Sequence, residues 1–460
     1  MNSKQPQTTS RRDFIKAGGK AAAITALAGM IAPRAYAAGS SLIQVALVGC
    51  GGRGSGAAKD ALSTKPGPIK LVAMADAYEH RLKGSFNALS KAFPDKEKMD
   101  VPEDHRFVGF DAYKQALDCL KPGDVAVFAT PMAFRWVHFQ YAVQKGLNVF
   151  MEKPLTADGP SSVRMLKLAE ESVAKNLKVG VGLMSRHARN MQELQKRIQD
   201  GELGDVIAMR GYRMAGRIGH FGTLPKPQGV SELDYQVQRF HAFLWAGGGC
   251  FSDFHIHILD HLSWLKGAWP VKAMGLGGRH YKTNGKTPFV DQNFDSYAIE
   301  YTFPDGTKIF YDGRCMEGAE GKYSSYVHGT KGLAIAANSR DCDPPSTIFK
   351  GQVEDPQKIA WQSTDTSNPY QNEWDELIDA IRNDKPYNEV KRGVEASVVT
   401  SMGRMSAHIG QTVTYEQMLN CGHEFAPGLD KLTKDSPAPV TPDADGMYPQ
   451  PEPGIKKREY

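Results

Sequence analysis

One short stretch near residue 50 restricts the fold more than any other part of the chain. The apolar run 43–48 is followed at once by a glycine-rich turn at 49–54 and then by a helical pattern over 55–62. A second apolar run, 69–75, leads directly into Asp76. A buried strand, a GxGxxG turn, a helix and an acidic residue after the next strand are the parts of a dinucleotide-binding βαβ unit.

The positions of the turn have separate physical roles. Gly49 permits the tight turn, Gly51 lets the backbone approach a pyrophosphate, and Gly54 lets the helix pack closely on the strand. The helix N-terminus presents free N–H groups to phosphates. The predicted cofactor-binding residues of the turn are therefore Gly49, Gly51, Gly52, Arg53 and Gly54.

Asp76 bears on the choice of cofactor. Its carboxylate is expected to accept hydrogen bonds from the adenosine ribose and to repel a 2′-phosphate, which favours NAD. Arg81 lies nearby and leaves NADP possible. A glycine turn that binds no ligand is the structural alternative.

The order of elements predicts a two-domain α/β protein. Further apolar runs at 124–129, 147–151 and 177–183 alternate with helical segments, which indicates a doubly wound Rossmann sheet, parallel and covered on both faces. After Asp205, alternating strands at 206–214, 296–303 and 308–312 surround a helix at 256–265. This pattern is typical of an α+β domain with an open, largely antiparallel sheet.

The predicted domain limits follow from these patterns. They are 41–155 for the NAD-binding domain, 156–420 for the substrate and oligomerisation domain, and 421–460 for a proline-rich arm. Helices within 370–410 are expected to pack back on the first domain. The arm is expected to extend, with a neighbouring subunit as one surface for it to wrap.

Residues 1–37 have the order of an export signal. The pair Arg11-Arg12 precedes an Ala/Gly-rich apolar stretch and an Ala-x-Ala site at Ala35, which indicates a twin-arginine signal and a periplasmic location. Lys20 and Pro33 interrupt the stretch, so it is too short for a membrane anchor.

Charge and cysteine content exclude other classes. Residues 1–37 hold six basic residues and one acidic residue, so the net charge of +5 falls to zero without them. The remaining charges are interspersed, which argues against a nucleic-acid partner. The six cysteines lack CxxC spacing, so no zinc knuckle is indicated.

Three further motifs follow in order. Thr130-Pro131 comes after the run 124–129, with His138 on the next helix, and Glu152-Lys153-Pro154 comes after the run 147–151. These are carboxyl-end positions of a parallel sheet, where ligands bind. A Gly-Gly-Gly run at 247–249 then leads into Asp253 and His257.

Together these motifs resemble the glucose-fructose oxidoreductase, inositol dehydrogenase and MocA family (Gfo/Idh/MocA), from Ile43 to about Met418. The resemblance implies an NAD(P)-dependent oxidoreductase of sugars or cyclitols that forms homo-oligomers. It also implies that Lys153, Asp253 and His257 face the nicotinamide and the reacting hydroxyl. Thr130, Pro131, Glu152 and Lys153 join the predicted cofactor site.

The chemistry of these side chains agrees with that role. Oxidising an alcohol requires a base for the hydroxyl proton, and the unperturbed pKa of histidine, about 6.5, suits His257. Lys153 can stabilise the developing alkoxide. Asp253, one helical turn before His257, can orient the imidazole or bind a second hydroxyl.

Several other residues are open to more than one interpretation. In the family the position of His255 commonly holds a small residue, so His255 can alter substrate choice. With His257 and His261 it could instead form a metal site, but we do not predict one. Arg186, His187 and Tyr212 are further substrate candidates. Arg213, His220 and Tyr235, on or near the long 217–238 loop, are also candidates, with a place in the core or at the rim as the alternative. His138 is expected to pack beside the cofactor.

Two other functions remain open from the sequence. One is a glycosidase that uses bound NAD to oxidise a sugar transiently before elimination, and the Gly-Gly-Arg-Gly run resembles that branch of the superfamily. The other is a cofactor-loaded binding protein without turnover. Glu152-Lys153-Pro154 favours ordinary redox chemistry.

Overall fold

The computed structural model describes residues 42–338 and 345–460. The twin-arginine signal predicted at 1–37 and Cys342 lie outside the described residues. Within them, no helix is long and apolar enough to cross a membrane.

The first domain is built on a six-stranded parallel sheet, as the sequence predicts. Its strand order is β3-β2-β1-β4-β5-β6, with the change of direction between β1 and β4. The strands are β1 Ile43–Val48, β2 Ile69–Asp76, β3 Arg106–Val108, β4 Val125–Phe128, β5 Asn148–Met151 and β6 Val179–Val181.

Helices cover both faces of this sheet because alternate strand residues are buried on opposite sides. Val45 and Leu47 face one core with α1, α2 and α10, while Ala46 and Val48 face another with α3, α4 and α5. The helices are α1 Gly52–Leu62, α2 Glu79–Ala92, α3 Ala112–Asp118, α4 Arg135–Gln144, α5 Gly159–Ala174 and α10 Pro369–Arg382.

The second domain has a nine-stranded mixed sheet in the order β14-β13-β12-β11-β7-β10-β9-β8-β15. Its neighbouring strands are antiparallel except β7 and β10, which are parallel. The strands are β7 Val206–Ala215, β8 Lys272–Gly278, β9 Ser296–Thr302, β10 Lys308–Cys315, β11 Lys322–Gly329, β12 Gly332–Ala337, β13 Thr347–Lys350, β14 Ile359–Gln362 and β15 Val413–Thr414.

Two long helices cover one face of the second sheet. Gly211 of β7 lies so close to α9 that an added Cβ would be 2.5 Å from Ile258, and Gly275 of β8 lies against Ala407 of α11 in the same way. Large apolar side chains such as Met274, Leu276 and Phe310 are exposed. The remaining helices are α6 Arg189–Gln199, α7 Glu232–Gln238, α8 Leu244–Gly247, α9 Gly249–Lys266, α11 Val390–Ile409 and α12 Tyr415–Leu419.

Two of the predicted limits need correction. The first sheet continues past residue 155, because β6 pairs with β5. The proline-rich arm does not extend away from its own chain: Tyr448 packs on Tyr235 and Phe243, and the buried Glu459 pairs with Arg404 of α11. Burial of these side chains holds the arm on the second domain.

Candidate active site

A crevice of about 910 Å³ lies at the carboxyl ends of β1, β2 and β4. This is the ligand position of an open α/β sheet, beside the switch point between β1 and β4. Its walls include every residue of the predicted turn except Cys50, together with Asp76, Arg81, Thr130 and Pro131. His138 also lines it, packed against Tyr113 and Phe128.

The backbone of the turn fits a dinucleotide phosphate. Gly49 has a φ of +97°, and a Cβ there would lie 2.7 Å from the Ala129 carbonyl carbon; a Cβ on Gly54 would lie 1.9 Å from the Gly49 oxygen. Helix α1 begins at Gly52, earlier than predicted, so its first-turn N–H groups point towards the crevice from the turn itself. Side chains at Gly49 and Gly54 would overlap neighbouring backbone, so the turn requires glycine at both positions.

Asp76 braces the turn as well as lining the crevice. Its Oδ2 accepts a hydrogen bond from the Cys50 N–H at 2.6 Å, and its Oδ1 accepts one from Tyr78 at 2.9 Å. Burial raises the pKa of this carboxyl group. Arg81 lies above Gly51, and its Nε has no hydrogen-bond partner among the described residues.

Arg53 lies where the nucleotide crevice meets a second one. Its Nε donates to Glu152 Oε1 at 2.5 Å, and its guanidinium lies 4.7 Å from the centre of the Tyr370 ring. Gly182 makes room for the carboxylate, since a Cβ there would lie 2.6 Å from Glu152 Oε2. Glu152 is therefore connected to the nucleotide crevice through its contact with Arg53.

The second crevice, of about 1240 Å³, contains the three predicted catalytic residues. Lys153 follows β5, while Asp253 and His257 lie one turn apart on α9, and all three line its wall. Arg53, Thr130, Pro131 and Phe240 line both crevices. The sequence motifs of two domains thus meet beside the nucleotide position.

Lys153 and Asp253 form a pair across the domains. Lys153 Nζ donates to the Asp253 carbonyl oxygen at 2.7 Å and to Oδ1 at 3.2 Å, while Asp253 Oδ2 lies 3.1 Å from His241 Nε2. Burial opposes ionisation of Asp253, but Lys153 and His241 hold its pKa well below its usual range. Asp253 is thus a fixed carboxylate that orients the ammonium group.

His257 is held as a neutral imidazole. Burial, and after it the charges of Lys153 and Arg213, lower its pKa well below the ordinary value. Its Nδ1 has no hydrogen-bond partner among the described residues. A neutral imidazole beside a cation can accept a proton from a bound hydroxyl group.

Arg186 and His187, predicted as substrate candidates, lie outside both crevices. Arg186 makes a bidentate pair with the buried Asp260, with NH2 to Oδ1 at 2.8 Å. His187 Nδ1 lies 2.6 Å from Glu376 of α10. Burial opposes its charge, but Glu389 and Glu376 raise the pKa of His187 to about 9. Both side chains therefore join elements of the fold, and neither lines either of the two crevices.

His255 and Tyr212 also face away from the crevice. His255 is buried with its Nδ1 2.6 Å from the Tyr311 hydroxyl, because residues two apart on a helix point to different sides. His261 instead contacts Ser325 at 2.8 Å, so the three histidines do not converge. Tyr212 packs on Tyr326 at the opposite face of β7 from Arg213.

Among the polar residues of the crevice, His241 and Arg135 were not predicted, and Arg213 was named only as a candidate. His241 contacts Asp253, and the Arg135 guanidinium donates to the Phe128 and Thr130 carbonyl oxygens. The alternation of β7 was the available signal for Arg213. The 217–238 segment itself contributes Val237 to the nucleotide crevice.

Comparison with known proteins supports this assignment of parts. Residues 191–335 match the family model of the GFO/IDH/MocA C-terminal domain. An inositol 2-dehydrogenase from Corynebacterium glutamicum is 29% identical over 125 residues, which are 27% of this chain and 35% of that protein. A scyllo-inositol 2-dehydrogenase (NAD(+)) from Bacillus subtilis is 26% identical over 237 residues, 51% of this chain and 57% of that protein.

Solved structures show the same fold. A myo-inositol 2-dehydrogenase from Lactobacillus plantarum superposes with a TM-score of 0.59 and 22% identity over 81% of this chain and 99% of that one. An aldose-aldose oxidoreductase from Caulobacter crescentus gives 0.61 and 17% over 81% and 100%. The curated alignments span between a third and just over half of those relatives. Together the matches support the Gfo/Idh/MocA relationship and an oxidoreductase.

Proposed function

We propose that this protein is an NAD-dependent oxidoreductase that moves hydride between nicotinamide and a secondary hydroxyl of a sugar, glycoside or cyclitol. The proposal depends on one observation: Lys153, Asp253 and His257 line a crevice continuous with the cradle formed by the 49–54 turn. The inositol dehydrogenase relatives support the substrate class.

Each of these residues has a separate role in alcohol oxidation. The 49–54 turn and Asp76 would hold a nicotinamide dinucleotide, which would supply the hydride acceptor. His257 takes the hydroxyl proton on its imidazole, and the Lys153 ammonium stabilises the negative charge that develops on the oxygen. Asp253 holds the ammonium in place, and His241 holds Asp253 from the other side. In the reverse direction His257 returns the proton.

NAD is the proposed cofactor because Asp76 is buried at the end of β2, where its negative charge opposes a 2′-phosphate. Arg81 is close enough to bind such a phosphate, so NADP is the competing cofactor. Both nucleotides need to be compared in the same assay.

The test is the appearance of reduced nicotinamide absorbance with a panel of sugars, glycosides and inositols. Lys153→Met should lower turnover by about 10²–10³ and His257→Gln should abolish it, while nucleotide binding persists in both variants. Lys145→Met is the matched control, because Lys145 pairs with Asp118 at the surface. Sugar release from a glycoside without net nicotinamide reduction would instead establish the NAD-dependent glycosidase. Bound nucleotide with no turnover of any kind would establish a binding protein.

Export and assembly are part of the proposal. Residues 1–37 are proposed to direct the chain to the periplasm through the twin-arginine machinery, and Arg11→Lys with Arg12→Lys should leave it in the cytoplasm on fractionation. A homo-oligomer is proposed from the exposed apolar side chains of the second sheet. Light scattering of the purified protein measures its mass.

A further inference from the structure

The charges that line the substrate crevice are not balanced. Among the described residues its charged walls are formed by four cations and two carboxylates: Arg53, Arg135, Lys153, Arg213, Glu152 and Asp253. Arg53 pairs with Glu152, and Lys153 pairs with Asp253. Both carboxylates are therefore already engaged.

The two remaining cations, Arg135 and Arg213, differ in their contacts with the described residues. Arg135 is buried and its guanidinium donates to two backbone carbonyl oxygens, of Phe128 at 2.6 Å and Thr130 at 3.0 Å. Arg213 forms no ion pair with any of the described residues, and its Nε has no hydrogen-bond partner among them. The ring of Tyr323 lies 4.9 Å from its guanidinium carbon.

The fold places Arg213 and His257 on the walls of the same crevice. On β7, residues 211 and 213 share the face that packs against α9, and Gly211 has no side chain, so the strand approaches the helix closely. Gly211 lies against Ile258, the residue that follows His257 on α9. Arg213, two residues along the strand, then lines the same crevice as His257. A guanidinium that has no counter-ion among the described residues can bind a planar or tetrahedral anion through two parallel hydrogen bonds.

We propose that the substrate carries an anionic group, a carboxylate or a phosphate, and that the Arg213 guanidinium binds it beside the hydroxyl that is oxidised. This inference rests on the proposed function and narrows its substrate class from neutral polyols to acidic sugars. Desolvated in the crevice, a charged pair of this kind discriminates strongly against a neutral analogue.

The experiment compares matched ligands with NAD present: glucose, glucuronate and glucose 6-phosphate, with methyl glucoside and methyl glucuronide as glycosides. Binding is measured by calorimetry and turnover by nicotinamide absorbance. Either acid should bind more tightly than its neutral partner, by about 10- to 100-fold. Preference for glucuronate identifies a carboxylate site, and preference for glucose 6-phosphate a phosphate site.

Arg213→Gln should remove that preference. Arg210→Gln is the matched control on the same strand, since Arg210 faces the other side and contacts His328. Equal binding of acid and neutral partners, a preference that survives Arg213→Gln, or binding of no acid would overturn the inference. If neutral sugars are turned over and Arg213→Gln does not change the ligand preference, the inference fails but the proposed oxidoreductase stands. Arg213-dependent binding of acids without hydride transfer refutes the oxidoreductase alone.

Discussion

Glu459→Gln is expected to destabilise the fold by about 3 kcal/mol. In the folded protein Glu459 accepts hydrogen bonds from Arg404 Nε at 2.8 Å and NH2 at 2.9 Å, and from His408 Nδ1 at 2.8 Å. Arg404 is wholly buried. Replacing the carboxylate leaves this guanidinium charge buried without a counter-ion, which costs about 3–5 kcal/mol.

The pKa of Glu459 agrees with this in direction. Burial opposes its ionisation, but Arg404 and His408 lower the pKa from 4.5 to about 2. A pKa that is lower in the folded protein means that the ionised carboxylate stabilises the fold. Because the folded pKa is the lower one, the stabilisation is fully present above about pH 4.5 and is lost as the pH falls towards 2.

Urea denaturation of the wild type and the variant, at neutral pH and in steps down to about pH 3, measures this contribution. The gap between them should shrink as the solution becomes acidic. Glu452→Gln is the control. Glu452 pairs with Lys456, which is more exposed than Arg404, so this substitution should change stability by less than about 1 kcal/mol. If Glu459→Gln behaved like that control at neutral pH, the reasoning would be refuted.

Three other predictions concern the site. Gly54→Ala should abolish nucleotide binding in a fluorescence titration, because its Cβ would overlap the Gly49 oxygen, whereas Gly56→Ala should leave it intact; equal affinities would contradict this. Asp76→Asn should lower the ratio of kcat/KM for NAD to that for NADP by removing the charge that opposes a 2′-phosphate, and an unchanged ratio would count against that role. Lys153→Met should lower kcat by about 10²–10³. Burial would still depress the pKa of His257, but without the lysine charge the acid limb of the rate profile should move up towards pH 6.5. A limb that stays in place would show that His257 is not the base.

The nucleotide half of the site was predictable because its determinants are local. The strand, turn and helix at 43–62 are contiguous, and the structure places β1 at the predicted residues. Lys153, Asp253 and His257, which the structure brings into one crevice, could be singled out because each belongs to a recognisable motif. Element ends were less accurate: β6 is shorter than the predicted 177–183, and α9 begins at Gly249, seven residues before the predicted helix.

The errors arise where a side chain's partner is distant in the chain. Arg186 and His187 follow β6 at a position typical of ligand-binding residues, but in the structure they pair with Asp260 and Glu376. Nothing in the neighbouring sequence marks these carboxylates as partners. His255 is a different error, because helical periodicity alone separates it from His257 by about half a turn.

The segment around Phe240 serves both crevices. Val237 and Phe240 line the nucleotide crevice, and the residue after Phe240, His241, contacts Asp253. Because these residues are close neighbours in the chain, a displacement of the 237–241 segment would also move His241 relative to Asp253. One wall of the nucleotide crevice and one support of the Asp253 carboxylate therefore belong to the same short segment.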